Sequence, residues 1–331
     1  MKAIVYTEYD PPDVLHLKEL KKPSPAKNEV LIQIYATPVS FGDRLARRFN
    51  EITHTAFTMP LLFWFFAKLF FGFNKPTVHI LGSEFAGVVE SVGSAVTTFK
   101  QGDPVFGYLG QNMGAYAEYL CMGEEKMLAI KPSAMTYEEA AAVPYGAFTA
   151  LNLLRKAHIK QGHKVLINGA SGGIGSAAVQ LAKYYGAEVT GVCSAPRLEY
   201  VKSLGADKVI DYTKEDFTRN GDTYDLIFDI LGKSSFSKCK SSLKENGIYL
   251  LASFKMKQIV QMFLTAIGGG KKVICTLAPD RKEDLAFIKN LTEVGKFKSI
   301  VDKCFPMDHA AEAHRYAEAG SKKGNIIITM R

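Results

Sequence analysis

The sequence predicts an α/β protein: a doubly wound parallel sheet joined to a second, β-rich domain. Three observations predict it. Lys164–Asp211 alternates short apolar runs with helical periodicity. Residues 1–40 and 80–107 are β-branched runs punctuated by Gly and Pro. A chain of 331 residues also exceeds one ordinary core, so two domains are expected.

Lys164–Asn168 is short, apolar and of the kind that forms a buried parallel strand. Ala170-Ser171-Gly172-Gly173-Ile174-Gly175 follows, a G-x-G-x-x-G pattern with alanine first. Ala177, Ala178, Leu181 and Ala182 then recur at helical spacing, and Glu188–Cys193 and Lys208–Asp211 read as further strands. Each small residue has its own task. The first allows a tight turn, Gly172 admits a pyrophosphate to the backbone, and Gly175 lets the helix pack close to the strand. The free N–H groups and partial positive charge of the helix start then face the phosphates. A strand before the motif and a helix after it are the context that makes it a dinucleotide site.

The end of the second strand selects the dinucleotide. An NAD site places Asp or Glu there, about 20 residues on, for the ribose 2′-OH. Here Ser194 stands in that place, with Arg197 three residues later and no acid before Glu199. An arginine pairs with a 2′-phosphate that an acid would repel, so NADPH is expected. Tyr212, just past the third strand, is placed against the same phosphate or the adenosine.

The net charge of +8 is spread along the chain, without the basic block or module signature of a nucleic-acid-binding protein. Cys121, Cys193, Cys239, Cys275 and Cys304 lack zinc spacing and are odd in number, which reads as reduced thiols in a cytoplasmic protein. The opening MKAIVYTEY is strand-like and has no apolar signal core. The aromatic stretch Phe57–Phe73 contains Pro60 and Lys68 and is too short for a clean span, so no stable membrane insertion is expected. It reads instead as a helical lid over an apolar substrate pocket, with Trp64, Phe65 and Phe66 available for stacking; packing on the β-rich domain or a dimer contact is the alternative.

The segments LGSEFAGVVESVG, FKQGDPVFG, GAFTALNLL, INGASGGIGSAAVQLAK and FPMDHAAEAHRYAEAGSKKGNIII resemble the medium-chain dehydrogenase/reductase superfamily, and within it the zinc-free, zeta-crystallin-like quinone oxidoreductases. The likeness runs over nearly the whole chain, with the insert around Leu61–Phe73 as the departure. It implies a Rossmann domain over 123–270 and a GroES-like catalytic domain over 1–122 completed by 271–331. It also implies a homodimer.

In the zinc enzymes of that superfamily, two cysteines and a histidine hold the catalytic metal. Here Ser40 and Ser83 stand in two of those places and the third falls at or near Tyr145, while Asp43 and Glu84 are kept. Serine is a poor zinc ligand, and Glu84 alone cannot hold the ion, so no catalytic metal is expected. None of His16, His54, His79, His158, His163, His309 and His314 forms an H-x-x-x-H pair. Without a Lewis acid, simple alcohols and ketones become unfavourable substrates, whereas conjugated acceptors remain open to hydride. The expected activity is NADPH-dependent reduction of quinones or activated α,β-unsaturated carbonyls, on a small apolar or aromatic substrate. An enoyl-thioester reductase and a non-catalytic NADPH-binding sensor are the alternatives. By the resemblance, Ser40, Phe41 and Asp43 line the nicotinamide and substrate floor, and Tyr145 is the candidate hydrogen-bond donor or proton relay. Thr149 contacts the carboxamide or packs under the nicotinamide, Asn325 reaches the cofactor, Ser171, Gly172, Gly173 and Ile174 hold the pyrophosphate, and Ser194, Arg197 and Tyr212 hold the adenosine phosphate end.

Overall fold

The computed structural model describes residues 1–53, 61–320 and 323–330. Its contacts divide the chain into two units. One comprises Met1–Thr53, Phe65–Tyr145 and Asp280–Arg331; the other comprises His54–Trp64 and Gly146–Pro279. These joins lie beyond the 122/123 and 270/271 read from sequence. The reason on the first side is that strand Leu128–Ile130 hydrogen-bonds to Pro104–Tyr108 and so belongs to the β-rich unit.

The β-rich unit is built on β1 (Lys2–Val5), β2 (His16–Glu19), β3 (Glu29–Pro38), β4 (Glu84–Val92), β5 (Pro104–Tyr108), β6 (Tyr119–Gly123) and β7 (Leu128–Ile130). β1 and β2 form an antiparallel ribbon. The long β3 organises the rest: it pairs antiparallel with β4 and also with β6. Val30, Ile32, Ile34 and Ala36 are buried, the period of two expected of a strand with one face on a core. Three helices are carried by or begin in this part of the chain: α1 (Phe41–Arg47), α2 (Leu61–Phe71) and α3 (Tyr137–Ala141). α1 and α3 each start in a capping box, Ser40 with Asp43 and Thr136 with Glu139. α4 (Pro144–Lys156) leads into the second unit.

That unit holds β8 (Lys164–Asn168), α5 (Gly173–Tyr184), β9 (Glu188–Cys193), α6 (Leu198–Ser203), β10 (Lys208–Asp211), β11 (Tyr224–Asp229), α7 (Phe236–Cys239), β12 (Leu243–Leu251), α8 (Met256–Ile267) and β13 (Lys272–Cys275). The six strands are parallel and lie in the order β10-β9-β8-β11-β12-β13. The order reverses between β8 and β11, and such a switch point opens a ligand crevice at the strands' carboxyl ends. The strands expected at Lys164–Asn168, Glu188–Cys193 and Lys208–Asp211 form over those residues. Leu166, Ile227, Tyr249 and Val273, one from each of four neighbouring strands, share one buried cluster.

The chain then returns to the β-rich unit through α9 (Lys282–Glu293), β14 (Val301–Pro306), α10 (Ala310–Glu318) and β15 (Asn325–Thr329). β15 pairs with β3 and closes the seven-stranded sheet. The return also braces α1 from below. Arg47 is fully buried, forms an ion pair with Glu318 of α10 and donates to the Asp10 carbonyl. Buried His314, also on α10, meets the Tyr116 hydroxyl at 3.0 Å through Nε2. Burial, with Arg47 and Arg44 nearby, holds the His314 imidazole well below its ordinary pKa, so it is neutral.

Candidate active site

The Gly-rich turn begins where β8 ends. Gly169 takes φ +95°, which glycine adopts without strain, so it makes the sharp turn that the sequence pattern assigned to Ala170. A Cβ on Gly175 would lie 2.1 Å from the Gly169 carbonyl oxygen, so only glycine lets α5 come this close. Gly172 and Gly173 differ: a Cβ on Gly172 would meet nothing nearer than 3.6 Å, and one on Gly173 nothing within 4 Å. The protein therefore leaves open space over the first turn of α5, where backbone N–H groups point outward. Ser171 and Ile174 flank that space in the chain. The Arg197 Nη1 donates to the Ser171 hydroxyl at 3.2 Å, so the guanidinium is anchored to the pyrophosphate turn itself. Ser194 precedes Arg197, its carbonyl accepting the Arg197 N–H. Tyr212 follows β10 and is exposed, with its N–H on the Cys193 carbonyl at the end of β9. Open glycines at the head of α5 and an arginine anchored on Ser171 fit a nicotinamide dinucleotide.

At the switch point, Asn168 at the end of β8 donates to Asp229 at the end of β11 at 3.1 Å. Asp229 also accepts from the Ser234 N–H and the Tyr249 hydroxyl. Sequence reading passed over this pair, although both residues are polar ends of apolar strands. On α4, Thr149 is buried, and its hydroxyl has no hydrogen-bond partner among the described residues. Such an orphan is costly unless a ligand completes it, which suits the carboxamide contact expected there.

In the β-rich unit, Ser40, Asp43, Ser83, Glu84 and Tyr145 come from three separated segments. Ser40 caps α1: its Oγ accepts the Asp43 N–H at 3.1 Å. Asp43 is fully buried and spends its oxygens on the Ser40 N–H (2.8 Å) and the Gly82 N–H (2.9 Å). It clamps the start of α1 to the segment before β4, and burial raises its pKa despite these bonds. Phe41 is 65% exposed, and the described part of its own unit does not cover it. Asn325 donates to the Ser299 hydroxyl and the Ile300 carbonyl, both at 3.3 Å. Its amide staples β15 to the preceding loop.

Glu84 is the residue that sequence reading undervalued. It is buried, and its Oε1 accepts the Tyr145 N–H at 2.8 Å. Burial pushes its carboxyl up to about 8, against the lowering effect of that hydrogen bond, and Asp43 pushes it further up. The lone acid at the mouth of the apolar run EFAGVV was the available signal. Tyr145 is 39% exposed as a residue, and its backbone is held. Its ring lies 5.5 Å from that of Tyr108. Burial, then Glu84 and Asp280, raise the Tyr145 phenol, which keeps it protonated and able to donate.

This donor set does not fit zinc. Two serines and a phenol stand where the family likeness places metal ligands, and of the two acids beside them Asp43 is bonded to backbone N–H groups and Glu84 is held largely neutral. Among the described residues no three His, Cys, Asp or Glu side chains gather as a metal site requires. Of the histidines, His54 lies outside the described residues, as do Phe57 and Pro60 of the aromatic stretch.

In the aromatic stretch, Leu61, Leu62, Phe63, Phe65, Phe66 and Leu69 of α2 are exposed. The one charged residue of the helix points the other way: Lys68 is buried, donating to the Phe49 carbonyl at 3.1 Å. Trp64 is half-buried. No helix of the described residues is long and apolar enough to cross a membrane.

Comparison with known proteins agrees with this architecture. Residues 26–133 match the alcohol dehydrogenase GroES-like domain family. Residues 204–328 match the zinc-binding dehydrogenase family, a region that contains none of Ser40, Ser83 and Tyr145. The chain is 33% identical to the 2-methylene-furan-3-one reductase of Solanum lycopersicum, over 99% of this chain and 79% of that protein. It is 32% identical to the NADPH-dependent alkenal/one oxidoreductase of Arabidopsis thaliana, with the same coverage. The solved quinone oxidoreductase of Coxiella burnetii superposes with a TM-score of 0.84 at 28% identity, over 100% of this chain and 99% of that one. The chain belongs to the medium-chain dehydrogenase/reductase superfamily, in the branch of the quinone and alkenal/one oxidoreductases. It is an oxidoreductase.

Proposed function

We propose that this protein is an NADPH-dependent, metal-independent reductase of quinones and activated α,β-unsaturated carbonyls. The observation that carries the reading is the pairing of an open dinucleotide turn at Gly172–Gly173 with a donor set at Ser40, Ser83 and Tyr145 unsuited to zinc. The names of the relatives, a furanone reductase, an alkenal/one oxidoreductase and a quinone oxidoreductase, point to the same acceptor classes.

When bound, NADPH supplies the hydride. The chain's part is to bind and orient. The N–H groups of Ser171 to Ile174 hold the pyrophosphate, and Arg197, fixed on Ser171, pairs with the 2′-phosphate while Ser194 leaves it unopposed. Tyr212 covers the adenosine end. The buried Thr149 hydroxyl takes the carboxamide. Tyr145, positioned through its backbone by Glu84, donates a hydrogen bond to the acceptor's carbonyl oxygen as charge arrives there. Conjugation spreads that charge, so a single neutral donor suffices where a simple ketone would need a Lewis acid. Ser40, at the head of α1, is assigned to the acceptor side by the family likeness. A homodimer in a reducing compartment is part of the reading, the latter in keeping with five free cysteines.

The direct test is the initial rate of NADPH oxidation with an ortho-quinone and then with a conjugated enone, with and without excess chelator. The expected result is turnover that the chelator leaves unchanged. Turnover abolished by chelator and restored by added zinc would overturn the reading, as would tighter binding of NADH than of NADPH.

A further inference from the structure

The bond from Glu84 reaches the backbone of Tyr145, and a backbone contact does not aim a phenol. Tyr145 stands in the first turn of α4, where a helix start leaves N–H groups without an internal partner, and Glu84 Oε1 takes this one at 2.8 Å. The side-chain torsions of the tyrosine are not set by that bond. An exposed ring exchanges between staggered rotamers unless a neighbour holds it.

The neighbour is Tyr108. Glu84 on β4 and Tyr108 on β5 are directly opposed in the antiparallel register, so their side chains leave the same face of the sheet. The Tyr108 ring lies 5.5 Å from the Tyr145 ring with 31° between their planes, within the range of a stacked aromatic pair. Tyr108 itself stands on well-tied backbone. Its N–H donates to the Met127 carbonyl at 2.9 Å, and the next residue, Leu109, donates to the Ser83 carbonyl at 2.7 Å. Gly107 before it packs so closely that a Cβ would lie 2.7 Å from the Met127 carbonyl oxygen and 2.8 Å from the Phe85 ring. Tyr108 is half-buried and Tyr145 is exposed, so the fixed ring orients the freer one. Burial first, then Tyr145, Glu84, Asp280 and Asp43, raise the Tyr108 phenol, so both rings of the pair stay neutral.

We propose that Tyr108 is a positioning residue for Tyr145: stacking from the β4–β5 sheet fixes the ring while Glu84 fixes the backbone, and the phenol is presented to the acceptor carbonyl in one orientation. The inference rests on the donor role given to Tyr145 above. The hold on the ring is a property of the free protein and can be read without turnover.

The test combines a double-mutant cycle with such a reading. Tyr108→Leu should lower kcat with an ortho-quinone by about threefold to tenfold at nearly constant KM, the size of effect that an aromatic pair carries. Tyr108→Phe, which keeps the stack, should recover most of that loss. In a Tyr145→Phe background Tyr108→Leu should cost nothing further, because Tyr108 acts through the Tyr145 phenol. Equal losses in the two backgrounds overturn the proposal, and so do equal losses with leucine and phenylalanine. In the full chain with ring-labelled tyrosine, the Tyr145 NMR signals are identified by their absence in Tyr145→Phe. They should carry the displacement that an adjacent ring current gives, keep it in Tyr108→Phe and lose it in Tyr108→Leu. Signals that do not respond to Tyr108→Leu overturn the proposal. Cooperative melting and retained NADPH affinity would show that the variants are folded; should Tyr108→Leu melt early, Tyr108→Met removes the ring with a straighter side chain. Wild type that does not reduce the quinone, with Tyr145 signals that still respond to Tyr108→Leu, would refute the reductase reading alone and support the hold on the ring.

Discussion

The turn after β8 and the cluster around Glu84 are both small polar sites, but they are built in opposite ways. The turn is one continuous stretch, Gly169–Gly175, whose function lies in backbone N–H groups and in the space that missing side chains leave. The cluster gathers Ser40, Asp43, Gly82, Glu84 and Tyr145 from separated segments, and its function lies in buried carboxyls holding backbone donors in place. A site made of backbone tolerates no added atom. A site made of buried acids is sensitive to pH. The contrast is testable from both sides.

The largest effect is expected at Gly175. The Gly175→Ala methyl would meet the Gly169 carbonyl oxygen at 2.1 Å, and backbone cannot yield as a side chain can. A loss of about 3 kcal/mol or more in denaturant unfolding is expected, with NADPH affinity lost beside it. Gly173→Ala is the partner experiment. Nothing in the protein lies within 4 Å of its Cβ, so stability should hold while NADPH titration by fluorescence shows weaker binding. Equal stability losses in the two variants would dissolve the distinction between a packing glycine and a ligand glycine.

The next effect belongs to Glu84. Its carboxyl titrates near the ordinary 4.5 when unfolded and at about 8 when folded. Between those values the unfolded chain has released the proton and the folded chain retains it. Stability therefore falls as pH rises through this window and levels off above it. Glu84→Gln keeps an acceptor for the Tyr145 N–H and removes the titration. Its melting temperature should change little across the window, and at the alkaline end it should exceed wild type by roughly 2–4 kcal/mol in stability. Parallel pH profiles for the two proteins would refute the neutral carboxyl.

Smaller effects test the two sites as binding and chemical devices. Tyr145→Phe retains the backbone bond to Glu84 and loses the phenol, so kcat with a quinone should fall by about tenfold to a hundredfold at nearly constant KM. A change confined to KM would make Tyr145 a binding residue. Arg197→Ala should weaken NADPH by about tenfold and leave NADH unchanged, since only the 2′-phosphate loses its partner. Equal losses for both cofactors would mean that Arg197 serves the turn through Ser171 and not the phosphate.

The same contrast governs how much the sequence revealed. Gly172, Gly173, Ser194 and Arg197 could be placed because a βαβ unit is local: strand, turn and helix follow within a few residues, and the periodicities of two and 3.6 mark each boundary. Ser40, Ser83 and Tyr145 were placed by likeness to a family and not by any local pattern. The same likeness assigned pocket and cofactor roles to Asp43 and Asn325, and the structure adds that both hold backbone or side-chain partners within their own unit. Phe65 and Phe66 were read as stacking residues because aromatic side chains stack on flat ligands; the structure adds that the helix buries Lys68 and exposes them. No periodicity reading anticipates a helix that is apolar all round and has its lysine inward.

By itself, then, the sequence determined the parallel sheet, the Gly-rich turn after β8 and the run Ser194 to Leu198 that carries Arg197 and no acid, because each of these is a property of adjacent residues. Only the tertiary structure decided that Glu84 is a buried, largely neutral carboxyl bound to the Tyr145 backbone, and that Asp43 clamps α1 to Gly82. Those depend on which distant segments exclude water from a group, and desolvation is set by the packed neighbours and not by the order of residues along the chain.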